Sequence, residues 1–396
     1  MDKKILVINA GSSSIKFKVY DYEKLTALAS GLCERIFIDG HISTTNLINK
    51  QKIDKKIAMP DHAKAAQIAL DVLKKLEVIK TYDEIVGIGH RVAMGGDVFK
   101  KSTSIDDEKN LTLVGEYGKI APLHNLPERD VVLVFKKLIP KAKNVGVFDT
   151  SFHTTIPQKN YDYTLARSIT NKYKIRRYGF HGTSYSYVTK KMQQILHKKA
   201  PNLIICHIGN GASICCVKNG KSYDTTMGFS PLAGLVMGTR CGDIDASVAL
   251  FLLRQKYSVQ EVDDFLNKKA GLLGLCGFSD TRDVCQKASE KNQAAILARQ
   301  IQVQRIANYI VQYINELDNK VDAIVFTAGC GENDGDLPIE VADQIKIVKL
   351  KIDSNKTCAK YDDFIKVSKL FSKIKVYKIH TNEELLIASD TKQIIG

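Results

Sequence analysis

Apolar, β-branched runs at residues 4–8 and 15–20 flank a short stretch of small polar residues, a spacing that predicts a β-hairpin. Behind them, Ala65, Ile68, Ala69, Val72, Leu73 and Leu76 recur at helical spacing, and Asp61 is suited to cap that helix. Residues 85–89 and 144–148 read as short buried strands, and 130–138, following Pro127, as a helix. The second half repeats the scheme. Residues 203–208 and 213–217 flank another glycine-rich turn, 246–253 and 292–317 read as helices, and 322–327 as a strand running into a glycine-rich loop. The two hairpins also echo each other in sequence. VINAGSSSIKF (7–17) and CHIGNGASICC (206–216) each place small residues and a Ser-Ile pair between two strands, which hints at a duplicated α/β domain.

Composition narrows the class without choosing a function. A chain of 396 residues with 44% hydrophobic and 26% charged positions fits two domains or three, with a sizeable core. That excludes disorder, collagen and a small disulfide scaffold. The longest uncharged stretch, 201–217, carries Asn202, His207 and Asn210, so no membrane span is expected. The apolar run ending at Asn9 is too short for a signal-peptide core. Nine cysteines, an odd number with no C-x-x-C pair, argue against a disulfide framework and a zinc site, and fit a reduced cytoplasm. The net charge of +15 is carried mostly by scattered lysines, since only 11 of the 58 basic residues are arginine. This reads as a lysine-rich surface, and no nucleic-acid partner is expected.

Local motifs are more informative. In the segment Asn9-Ala10-Gly11-Ser12-Ser13-Ser14-Ile15-Lys16, small residues would let backbone N–H groups approach phosphate oxygens, while hydroxyls and Lys16 add donors and charge. The same segment also reads as a polar hairpin turn; His207-Ile208-Gly209-Asn210-Gly211 is a second phosphate candidate that reads equally as a plain turn. Gly329-Cys330-Gly331-Glu332-Asn333 follows a strand, a common nucleotide position in α/β folds. No Walker A loop, dinucleotide G-x-G-x-x-G, H-E-x-x-H or G-x-S-x-G motif is present. Polar residues in glycine-rich contexts complete the set: His90-Arg91, His124, Asp149, His181 and Arg240. Each alone reads more simply as a surface or structural group.

Together these segments closely resemble the acetate kinase family. The resemblance runs over residues 5–390, and the matching stretches, in order, are NAGSSSIKF, GHRV with the following GG, APLHN, FDTSFH, YGFHGTS, HIGNGAS, DTTMGFSPL, GLVMGTRCGDID, FTAGCGEN and TNEELLIA. The resemblance implies two duplicated actin-like (ribonuclease H-like) α/β domains with an active-site cleft between them. The first would cover 1–149 and be completed by 381–396; the second, binding nucleotide, would cover 150–380. It further implies Mg²⁺-dependent, reversible phosphoryl transfer from ATP to acetate, giving ADP and acetyl phosphate by direct in-line transfer. Mn²⁺ is an alternative metal, and a homodimer is the implied assembly.

The same resemblance assigns roles. Asn9 and Glu383 would hold the metal. Ser12, Ser14, Lys16 and the segment His207, Ile208, Gly209, Asn210, Gly211 would follow the ATP phosphates. Asp280, Thr281 and Arg282, with Gly329, Cys330, Gly331, Glu332 and Asn333, would contact the nucleoside. Arg91 and Arg240 would grip acetate and the transferring phosphoryl group, His181 would donate to an equatorial oxygen, and Asp149 is the matching catalytic carboxylate. Ionised acetate has no proton to lose, so Asp149 is expected to orient Arg91 or the metal's water network. His124 would lie at the substrate, and Ala93, Leu123, Phe180 and Pro231 would line the methyl pocket.

Departures sharpen the substrate question. Ala93 stands where the family has a second valine, leaving room for about one methylene, which makes propionate acceptance an expectation. Met94 replaces a histidine, and Cys330 an isoleucine. A propionate or other short-chain acyl kinase is the alternative within enzymes. A non-catalytic actin-like ATPase and a nucleic-acid-binding protein are the readings outside that class.

Overall fold

The computed structural model describes residues 2–396, except for the side chains at positions 122 and 123. Two compact units emerge: Met1–Phe152 joined by Asn382–Gly396, and His153–Thr381.

The first unit is built on an eight-stranded sheet. Its strands are β1 (Lys4–Gly11), β2 (Ser14–Asp21), β3 (Ala27–Glu34), β4 (His41–Asn46), β5 (Lys52–Lys56), β6 (Ile85–Val92), β7 (Thr103–Ser104) and β8 (Lys143–Phe148). They lie in the order β5-β4-β3-β2-β1-β6-β8-β7. Strands β1, β6 and β8 run parallel, and β1 to β5 form an antiparallel meander. Because β1 is buried on both faces, its residues Ile5, Leu6, Val7 and Ile8 are apolar without alternation. Leu6 and Ile8 pack toward Leu70, Leu73, Val131 and Phe135, and Ile5 and Val7 toward Ile387 and Ala388. The helix Glu383–Ile395 sits so close to β6 that a Cβ on Gly87 or Gly89 would collide with Ile395, Thr391 or Ile387.

The second unit has six strands: β9 (Leu203–Ile208), β10 (Ala212–Lys218), β11 (Lys221–Thr225), β12 (Ala323–Thr327), β13 (Phe364–Lys366) and β14 (Lys375–Ile379). Their order is β11-β10-β9-β12-β14-β13, with β9, β12 and β14 parallel. The run β3-β2-β1-β6-β8 therefore matches β11-β10-β9-β12-β14 strand for strand, which is the expected duplication of one actin-like α/β fold. Both predicted hairpins are present, Gly11 pairing with Ser14 and Ala212 with Ile208. Asp61 caps the helix His62–Lys75 through Lys64 N.

Two expectations change. The helix expected from residue 130 begins at Pro122, where proline suits the first turn, and passes through Pro127. Packing of Val131 and Phe135 in the core offsets the backbone bond that Pro127 cannot make. The glycine-rich loop expected after β12 is instead a short helix, Ala328–Asn333. Among the described residues, no helix is long and apolar enough to cross a membrane.

Candidate active site

In the first unit, Arg91 lies one residue before the end of strand β6 and meets Asp149, which follows β8. Its Nη2 donates to Asp149 Oδ2 at 2.6 Å, and its Nε lies 3.2 and 3.1 Å from the two carboxylate oxygens. Asp149 is fully buried. Such a two-point grip fixes the plane of the guanidinium as well as its position. On its other side, Arg91 Nη1 reaches Asn9 Oδ1 at 3.5 Å, and Nε lies 3.9 Å from Glu383 Oε2. Burial alone would push the Arg91 pKa down, but Asp149 and Glu383 outweigh it and the net shift is upward. Burial pushes the Glu383 carboxyl up to about 7, against the pull of Arg91. The parallel strands β1, β6 and β8 thus bring Asn9, Arg91 and Asp149 to one end of the sheet, where the helix carrying Glu383 begins.

In the second unit, a different trio converges. His181 precedes the helix Gly182–Leu196 in the left-handed conformation, with φ of 58°, a strained backbone for a non-glycine residue. Its Nδ1 is 2.8 Å from Ser213 Oγ, which also bonds the Tyr185 hydroxyl, and its ring stacks on His207 at 4.1 Å. His207 Nδ1 is in turn 2.9 Å from Ser184 Oγ. These contacts leave His181 Nε2 directed at Gly211. A Cβ on Gly211 would lie 3.6 Å from that nitrogen and 2.8 Å from Arg240 Nη2. Arg240 Nη1 donates to the Pro231 carbonyl at 2.6 Å. Among the described residues Arg240 has no carboxylate partner, and burial pushes its pKa down. A desolvated guanidinium without a counter-ion, beside a histidine nitrogen, is suited to an anion.

A cavity of about 800 Å³ in the same unit gathers Gly209, Asn210, Asp280, Thr281, Arg282, Gly329, Cys330 and Asn333. Its size falls in the range of small-molecule sites. Nothing lies within 4 Å of a Cβ built on Gly329, so a flat ligand can approach that backbone. At the rim, Arg282 forks onto Asp280 at 2.6 and 3.0 Å, and the pairing holds Asp280 down to about 2.

Other expected residues stand elsewhere. Ile208 and Gly331 are buried in the fold, and Gly331 packs under Phe326. The Glu332 carboxylate is engaged with Ala328 N at 2.8 Å, Thr381 N at 2.9 Å and His380 Nδ1 at 2.7 Å, so it secures the short helix and does not face the cavity. Lys16 projects from β2 onto Glu384 at 2.5 Å, with Ser12 exposed in the turn and Ser14 half-buried. Ala93 and Phe180 are buried, Pro231 is half-buried and His124 is exposed; the Leu123 side chain lies outside the described residues. His90 is a structural group, bonded to Asn144 at 2.9 Å and pushed down to about 4 by burial. Sequence reasoning missed Ser213, Ser184 and Tyr185, which aim the two histidines, and also Glu128, Asn125 and Thr150. No periodicity marks them, because their roles depend on long-range pairing.

The Acetokinase family model matches residues 4–389. Acetate kinase from Mycoplasma pneumoniae is 48% identical over 391 residues, covering 98% of each chain. Among solved structures, a propionate kinase from Francisella tularensis superposes with a TM-score of 0.93 at 36% identity, covering 99% of this chain and 100% of that one. Acetate kinase from Porphyromonas gingivalis gives a TM-score of 0.92 at 37% identity, covering 100% of both. With its two actin-like units, the chain belongs to the acetokinase family.

Proposed function

We propose that this kinase transfers the γ-phosphoryl group of ATP reversibly to acetate, giving acetyl phosphate and ADP. The observation that carries the reading is the guanidinium of Arg240, without a carboxylate partner among the described residues, beside His181 Nε2, both bordering Gly211. Phosphoryl transfer asks mainly for positioning and for donors where charge gathers. Arg240 and His181 supply those donors to the phosphoryl oxygens, and the cavity beside Gly329 takes the nucleoside. Arg91 binds the carboxylate, and Asp149 holds its fork in plane. Acetate is ionised at neutral pH, so no residue serves as general base in the forward direction. Lys16, at the first hairpin, would reach the ATP phosphates by leaving its ion pair with Glu384.

The donor set fits Mg²⁺. Asn9 Oδ1 and the Glu383 carboxylate are hard oxygens, and both lie beside Arg91 at the same end of the sheet. Bound there, the ion would neutralise charge on the ATP phosphates. Ala93 leaves the acyl end roomy. In an ADP-release assay with Mg²⁺, acetate and propionate are both turned over, with kcat/KM values within the ~10–200-fold range of one methylene. Absence of acetate-dependent ADP release would overturn the reading.

The proposed assembly is a homodimer. On the helix Ala246–Arg254 no residue is buried, and Val248, Leu250, Phe251 and Leu253 are exposed, with Ile244, Tyr257 and Val259 flanking them. A helix that is apolar all round and exposed asks for cover, and a second copy supplies it. Light scattering should give a dimer mass that falls to a monomer in Leu250→Glu/Phe251→Glu. A monomeric wild-type protein at micromolar concentration contradicts the dimer.

A further inference from the structure

The segment following Arg91 is held in an unusual way. Three consecutive backbone N–H groups donate to side chains: Ala93 to Glu128 Oε2 at 3.0 Å, Met94 to Asn125 Oδ1 at 3.0 Å, and Gly95 to Thr150 Oγ1 at 2.9 Å. Asn125 closes the arrangement by donating back to the Met94 carbonyl at 2.8 Å. Asn125 and Glu128 are three apart on the helix Pro122–Leu138, so one helix face presents both acceptors. Asn125 is 0% exposed and Glu128 5%.

Glu128 is the costly member of this set. Its carboxyl is buried, and among the described residues its one hydrogen bond is to Ala93 N. Burial pushes it up to about 8, with the Ala93 N–H and Arg91 pulling it down and Asp149 pushing it further up. A neutral carboxyl keeps a carbonyl oxygen that accepts the Ala93 N–H, and it spares Arg91 a further negative neighbour beside Asp149 and Glu383. An apolar side chain would fill the same space but would leave a buried N–H unpaired.

We propose that Glu128 is a specificity-determining positioning residue: it fixes the backbone at Ala93, and through it both the carboxylate grip of Arg91 and the depth of the acyl end. The inference rests on the reading that Arg91 binds the substrate carboxylate. It explains how a small alanine can form a defined wall, because the wall's position is set from behind by Glu128. A displaced grip weakens ground-state and transition-state binding of the carboxylate alike, so loss of a backbone hold of this kind is read in KM and chain-length preference.

The test compares Glu128→Ala and Glu128→Gln with wild type in ADP-release kinetics on acetate, propionate and butyrate. In Glu128→Ala the acetate KM rises about tenfold, because the released backbone no longer fixes Arg91 and Ala93 at the carboxylate, while kcat and the KM for ATP stay within about threefold. The propionate-to-acetate ratio of kcat/KM shifts by about threefold or more. Glu128→Gln, which keeps an oxygen for Ala93 N, restores the acetate KM to within about threefold of wild type. A folded Glu128→Ala with wild-type acetate KM and chain-length profile overturns the proposal, as does a loss falling equally on ATP. Failure of Glu128→Gln to rescue also overturns it. Should the alanine variant not fold, Glu128→Asp replaces it, with the same KM rise expected and a wild-type KM overturning the proposal. A wild-type protein inert on all three acids instead removes the reading on which the inference rests.

Discussion

Arg91→Lys lowers kcat/KM for the carboxylate by about 10³-fold and leaves the KM for ATP within about threefold. Lysine keeps the charge but loses the planar fork. The two-point contact with Asp149 becomes a single one, and the ammonium no longer presents a fixed edge toward Asn9. Arg91→Ala goes further. It leaves the buried Asp149 without its cation, a situation that costs roughly 3–5 kcal/mol in comparable buried pairs. The alanine variant therefore melts at a lower temperature, whereas the lysine variant keeps most of its stability. Acetate kinetics and thermal denaturation of both variants separate these effects. Activity of Arg91→Lys within tenfold of wild type would remove Arg91 from the carboxylate site.

Gly211→Ala costs about 10²-fold in kcat without disturbing the fold. Gly211 is not among the glycines with positive φ, so its backbone accepts alanine. The new methyl would stand 2.8 Å from Arg240 Nη2, so the guanidinium must shift from its present place. Unlike removal of a charge, this substitution deletes no donor and changes only where one lies. Circular dichroism and melting temperature should match wild type while turnover falls. A kcat within threefold of wild type would show that the Arg240 position is not set at Gly211.

The hairpins β1–β2 and β9–β10 were legible because each apolar run is closed by small residues, and Asp61 because its capping position precedes a clear helical period. Strands β4 (HISTTN) and β5 (KIDKK) were not, since a partly exposed polar strand carries little apolar alternation. At the site, Arg91 and Asp149 could be named from resemblance, but the bidentate contact joins positions 58 apart and only the parallel sheet brings them together. Glu332 shows the reverse case. A polar residue in a glycine-rich stretch reads as ligand-binding, yet its carboxylate is taken up by backbone N–H groups beside His380. Glu128 carries no signal in the chain at all, because a glutamate on a helix ordinarily faces water.

The helix Glu383–Ile395 gives the molecule a fixed order of assembly during synthesis. Its seat over Gly87 and Gly89 belongs to a sheet whose strands have all been made by residue 148, yet the helix follows the whole of His153–Thr381. At 5–20 residues per second, the ribosome needs roughly 10–50 s to deliver it. During that interval Ile5, Val7, Val145 and Val147 lack their covering partners Ile387 and Ala388. The uninterrupted second unit can complete its own core meanwhile. The nascent first unit waits with an apolar sheet face open, a surface of the kind chaperones hold.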